Sequence, residues 1–197
     1  MATRIRNGVQ INGPGLEALV AQLRSLTNVE VLVGFPEDTA HRDEEHGPTN
    51  AQLAYIHDNG APEANIPARP FMVPGIESVQ SKLVYKLRRT ITAVMEGKAD
   101  AVQIGFTQVG ITAVLAIQST INEGVPPPLS EATLRNRLRK GRKGGAGARK
   151  GAAIELDRRW DGQVPSVEFA KPLVDTAQMR NAVNYVIRNR RERGRNR

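Results

Sequence analysis

The chain contains no cysteine. That absence excludes a disulfide framework, an iron–sulfur cluster, a thiolate zinc finger and a cysteine nucleophile. Aromatic residues make up only 4% of it, so whatever core it buries must be aliphatic. No uninterrupted apolar run reaches the roughly 18 residues that a spanning helix needs. Residues 1–10 also lack the basic-then-apolar order of a signal peptide. These absences lead to the expectation of a soluble protein, made in the cytoplasm or built into a particle assembled there. What is present is a 40% hydrophobic share over 197 residues, enough for one structural domain with appendages.

The net charge of +8 is unevenly distributed. Residues 131–160 carry +7 and residues 188–197 carry +5, so the remainder is mildly acidic. Basicity of this kind belongs to appendages, and polybasic appendages neutralise phosphates or dock on acidic protein surfaces.

Apolar spacing predicts a helix over 11–26, with Pro14 in its first turn, and then a strand, Val29, Val31 and Val33, stopped by Gly34 and Pro36. Residues 37–48 are acidic with almost nothing apolar, and read as an exposed loop. Thr49 or Asn50 can cap a short helix that ends at Asn59-Gly60. Four prolines, Pro62, Pro67, Pro70 and Pro74, make 61–71 an extended connector. A long helix is expected from Met72 to Val94. A second, over about 100–122, is apolar on two faces and should be the more buried of the pair. Pro126–Pro128 lead to a cap at Ser130. A Gly/basic stretch, within a flexible arm spanning about 139–152, reads as unable to bury anything. Order resumes at Ile154, with a strand expected near 164–169, a capped turn at 173–179 and a closing strand at 184–188. The expectation is α+β: a small mixed or antiparallel sheet packed against two long helices, in a single domain (core about 11–135 and 153–188) with an extended basic arm and a basic C-terminal tail, 188–197.

Catalytic signals are weak. His41, His46 and His57 are the only histidines. A metal-dependent nuclease would need them to converge with carboxylates such as Asp43 or Asp58, and their spacing is not that of a helical zinc pair. No serine sits in a Gly-x-Ser-x-Gly elbow, and the Gly/Lys stretch around Lys150 lacks a phosphate loop's ending. No catalytic residue, cofactor or metal is assigned. The basic residues Arg135, Arg137, Arg139, Lys140, Arg142, Lys143, Arg149 and Lys150 are candidates for contact with DNA or an acidic partner; with no aromatic among them to stack on bases, DNA contact there would be non-specific and salt-steep. The segment Ile66-Pro67-Ala68-Arg69-Pro70-Phe71-Met72 is the unusual one. Its proline-fixed backbone either presents Arg69 and Phe71 to a partner or simply braces the helix that follows.

Six segments in order carry a resemblance. They are Val31-Leu32-Val33-Gly34-Phe35-Pro36; Leu53-Ala54-Tyr55-Ile56-His57-Asp58-Asn59-Gly60; Ile66 to Phe71; Ile117 to Ile121; Pro127-Pro128-Leu129-Ser130-Glu131-Ala132-Thr133; and Pro172-Leu173-Val174-Asp175-Thr176-Ala177-Gln178-Met179-Arg180-Asn181-Ala182. In this order the chain resembles the tail-completion, neck or virion-morphogenesis proteins of tailed bacteriophages. Ala177 stands where that family usually has Gly, and Met179 where it has Leu. The resemblance implies a non-enzymatic virion protein at the head–tail junction, assembled in the host cytoplasm as a ring of identical copies, a hexamer or dodecamer. Its implied partners are portal and adaptor proteins, tail terminator, tube or sheath proteins and packaged DNA, with no membrane. The connector residues Pro67, Arg69, Pro70 and Phe71, with Pro127 and Leu129, are then expected at the interface between copies. The alternative is a nucleic-acid-binding accessory protein acting through the arm and tail.

Overall fold

The computed structural model describes residues 3–4, 10–11, 14–36, 47–98, 100–140 and 145–190. The protein is mixed α/β, mostly helical, with small two-stranded sheets. The chain divides into two compact units, each discontinuous in sequence: 1–32, 81–111 and 186–197, and 33–80 with 112–185.

In the first unit, β1 (Thr3–Arg4) and β2 (Gln10–Ile11) pair antiparallel, Thr3 opposite Ile11. Helix α1 (Pro14–Thr27) opens on the proline whose missing N–H costs nothing there. Strand β3 (Val29–Gly34) pairs with β4 (Asn184–Asn189). Arg190 N–H donates to the Asn28 carbonyl at 2.6 Å, and Arg188 Nε meets Glu30 Oε1 at 2.7 Å, a register that runs antiparallel. Helix α4 (Gln80–Met95) ends in a Schellman turn: Lys98 N–H reaches Ala93 O, Gly97 N–H reaches Val94 O, and Gly97 takes φ +81°. The short link to α5 (Ala101–Glu123) matches expectation. A Cβ at Gly105 would collide with Thr90 Oγ1, so glycine is what lets these two helices approach.

One helical expectation is corrected. The helix expected over 72–94 is interrupted: α3 (Met72–Glu77) ends where Ser78 Oγ donates to Gly75 O at 2.7 Å and the turn tightens, Val79 N–H reaching Ile76 O, before α4 starts. Helix α5 is the more buried of the pair, as expected, although Ile104, Ile111 and Leu115 on its second apolar face are 56%, 45% and 59% exposed. By length and composition α5 is apolar enough to cross a membrane, yet Phe106, Val109, Ala113, Ile117 and Ile121 give it the buried face of a core helix.

In the second unit, α2 (Asn50–Asn59) starts with a capping box. Thr49 Oγ1 accepts from Gln52 N–H at 3.2 Å and Gln52 Oε1 accepts from Thr49 N–H at 2.9 Å. It stops at Gly60, φ +80°, where a Cβ would lie 2.7 Å from the Ala68 nitrogen. Phe71, fully buried, anchors a core of Ala54, Ile117, Ile121, Val125, Leu173, Met179 and Val183, aliphatic apart from Phe71 and Met179, as a composition poor in aromatics demands. A second cluster joins Leu129, Leu134, Ala152, Leu156 and Ala170, between α6 (Glu131–Arg139), capped by Ser130, and α7 (Ala146–Trp160). The last helix among the described residues, α8 (Gln178–Ala182), follows Ala177 at φ +62°.

The flexible arm expected over 139–152 is corrected as well. From Ala146 onward it is α7; Gly151 is buried and Ala152 fully so. A Cβ at Gly151 would strike Phe169 O and one at Gly145 would strike Asp175 O, so these glycines allow close backbone approach and are not signs of flexibility. The strand expected near 164–169 is absent because side chains have taken its backbone donors: Ser166 N–H goes to Glu155 Oε1 at 2.8 Å and Glu168 N–H to Ser166 Oγ at 3.1 Å. The acidic loop residues 37–46, with His41 and His46, the arm residues Arg142 and Lys143, and tail residues 191–197 lie outside the described residues.

Candidate functional site

Within the second unit the connector is pinned at three points. Arg69 N–H donates to the His57 carbonyl at 2.7 Å. Asp58 Oδ1 accepts both the Phe71 and Met72 N–H groups, at 2.8 and 3.1 Å, which fixes the entry of α3. The Arg69 guanidinium reaches across 58 residues of sequence, Nε to Pro127 O at 3.0 Å and Nη2 to Pro128 O at 3.4 Å. Prolines have no N–H but keep their carbonyls, so the triproline offers acceptors only, and a guanidinium is their natural partner.

A second arginine repeats the device. Arg137 Nη1 donates to Lys171 O at 3.0 Å and Nη2 to Pro172 O at 2.9 Å, tying α6 to the segment before α8. One turn on, Lys140 meets Asp175 Oδ2 at 2.7 Å. A cavity of about 590 Å³ lies among these groups, lined by His57, Arg69, Pro128, Arg137, Lys140 and Asp175 together with their neighbours. A second, of about 380 Å³, shares His57, Lys140, Pro172 and Asp175. Burial, and secondarily the Arg69 charge, keep the His57 imidazole below its ordinary pKa of 6.5. Burial also pushes Arg69 and Arg137 down. For Arg137, Asp175 opposes the shift and Arg69 adds to it.

Of the six residues expected at an interface between copies, three lie inside the chain: Arg69 is 5% exposed, Phe71 0% and Leu129 7%. Their contacts are those of an internal brace. Pro67, Pro70 and Pro127 are on the surface. Of the eight basic candidates six are described, and they are differently engaged. Arg137 is buried, Lys140 is held by Asp175, Arg135 pairs with Glu131, and Arg139 bonds Asn136. Arg149 and Lys150 are exposed on α7. Among the described residues no group of three or more His, Asp or Glu could hold a metal ion.

Two further arrangements carry no site signal in the sequence. Glu155, fully buried, accepts from Arg159 Nε at 2.9 Å and from Ser166 N–H, while Arg159 also bonds Leu129 O at 3.0 Å and Arg158 lies over the Phe169 ring. In the first unit, Lys82, Tyr85, Lys86 and Arg89 share one face of α4 and border a cavity of about 360 Å³, Arg89 sitting 5.9 Å over Tyr85. Their i, i+3, i+4, i+7 spacing is visible in the sequence, where it reads as a solvated face. No family model, no curated protein and no solved structure matches the chain.

Proposed function

We propose that this chain is a non-enzymatic structural protein that assembles with identical copies into a ring joining the DNA-filled head of a tailed phage to its tail. One observation carries the reading: four of the segments that resemble the neck and tail-completion proteins, though scattered over more than a hundred residues, meet at one cavity. His57 comes from the second segment, Ile66, Pro67 and Arg69 from the third, Pro128, Leu129, Ser130 and Thr133 from the fifth, and Pro172 and Asp175 from the sixth. A buried guanidinium, that of Arg69, ties the third of these segments to the fifth.

In this reading the small sheet packs against the two long helices and copies meet head to tail through two different patches, as a closed ring requires. The surface prolines Pro67, Pro70 and Pro127 supply a rigid contact edge that loses little entropy on association. The exposed Tyr55, Trp160 and Val164, at 71%, 73% and 80%, supply apolar area for neighbours such as portal, adaptor or tail subunits. The interior brace of Arg69 and Phe71 keeps that edge in shape.

Sedimentation and electron microscopy of the purified chain test the proposal, together with labelling of parent particles. A closed ring of six or twelve copies, and label at the head–tail junction, are expected. A chain that stays monomeric and is absent from particles would refute it. Tight, salt-steep binding of free duplex by that monomer would favour the nucleic-acid accessory reading instead.

A further inference from the structure

We propose that the cavity of the second unit is a binding pocket for a carboxylate carried by an acidic peptide, held by Arg69, Arg137 and Lys140. The argument starts from charge. Arg69 and Arg137 are each 5% exposed, and buried charges are ordinarily paired with opposite ones. Here both guanidiniums spend their hydrogen bonds on neutral carbonyls, of Pro127 and Pro128 and of Lys171 and Pro172. Those bonds leave out Nη1 of Arg69 and Nε of Arg137. Among the described residues the only carboxylate in the lining, Asp175, already has Lys140 at 2.7 Å. The described residues of the wall therefore carry three cations against one anion around an open volume of about 590 Å³. A further anion would relieve the repulsion between the two guanidiniums and use the donors that their carbonyl bonds leave over.

The lining selects among anions. Its described residues include no aromatic side chain on which a base could stack, which disfavours nucleic acid. Asp175 repels a dianionic phosphate more strongly than a monoanionic carboxylate. Ile66, Pro67, Pro128, Leu129 and Pro172 give the apolar walls that the methylenes of a glutamate side chain and its flanking peptide would cover. Phosphates would suit an open, wholly polar cationic surface; a carboxylate on a peptide suits this one.

The test uses the full chain and a fluorescein-labelled tetraglutamate peptide, with tetraglutamine as control, followed by anisotropy. Lys140→Gln should weaken tetraglutamate binding about fivefold, the scale of one partly exposed charge. Arg137→Lys, which loses the planar fork, should weaken it about thirtyfold. Because Arg137 also holds two carbonyls, circular dichroism must show that this variant is folded; Lys140→Gln decides the matter if it is not. Arg149→Gln and Lys150→Gln, exposed and outside the cavity, should leave binding unchanged.

Equal losses for all four variants would mean non-specific attraction to a basic protein and would overturn the proposal. So would binding of tetraglutamine as tight as that of tetraglutamate, or no binding at all. Displacement by inorganic phosphate at matched ionic strength would overturn it in favour of a phosphate site. Peptide binding is read whatever the copy number, so its loss is distinguishable from a failure to form rings.

Discussion

Replacing Arg69 by methionine separates an internal brace from an interface residue. Methionine keeps the aliphatic bulk of the stem but removes both bonds to the triproline, one at 3.0 Å and one, weaker, at 3.4 Å. A hydrogen bond from a charged donor contributes about 1.5–3 kcal/mol net. The longer one is worth less, and water can partly replace both because Pro127 is exposed. Against the loss stands the relief of no longer burying a charge at a site 5% exposed and within the field of Arg137. The balance predicts a destabilisation of about 2 kcal/mol, and about half that for Arg69→Lys, which keeps the charge but has no fork to span two carbonyls. Urea unfolding followed by far-ultraviolet circular dichroism reads both. If Arg69→Met unfolds within about 0.5 kcal/mol of the parent while ring assembly is lost, the guanidinium acts between copies and the bracing argument is wrong.

Ala177→Gly should raise the melting temperature by about 1–2 °C: the left-handed φ of +62° costs a non-glycine about 1–2 kcal/mol, offset in part by the 0.5–1 kcal/mol that glycine gives up in unfolded-state entropy. Calorimetry checks it, and a lower melting temperature would contradict the reasoning. His57, held below its ordinary 6.5 chiefly by burial, gains its proton more readily when unfolded. Its contribution to stability is therefore complete above about pH 6.5 and is lost as pH falls from there toward the lowered folded value. His57→Gln should flatten the stability profile across that window in denaturant titrations, and an unchanged slope would show that the other histidines carry it.

Local chemistry was legible in the sequence because it acts over three or four residues. Thr49 and Gln52 form their box, Ser130 caps α6, Gly60 and Gly97 take the positive φ that stops a helix, and alternating valines give β3. The proline-fixed connector was legible too, since proline restricts φ wherever it stands, but that its phenylalanine belongs to the core and not to a contact between copies was not. Ala177 is the instructive departure. The resemblance asks for glycine there, and the backbone still adopts the left-handed turn, because the packing of Leu173 and Met179 on either side sets it.

Tertiary structure decided what depends on partners far along the chain. Which carbonyls Arg69 and Arg137 would seek, across 58 and about 35 residues, has no periodic signature; the sequence offers Arg69 as a connector contact and Arg137 as one more charge of a basic stretch. Glycine was ambiguous for the same reason. Its missing Cβ permits either a loose chain or the closest approach of two backbones, and only Phe169 O above Gly151 and Asp175 O above Gly145 show which one this protein uses.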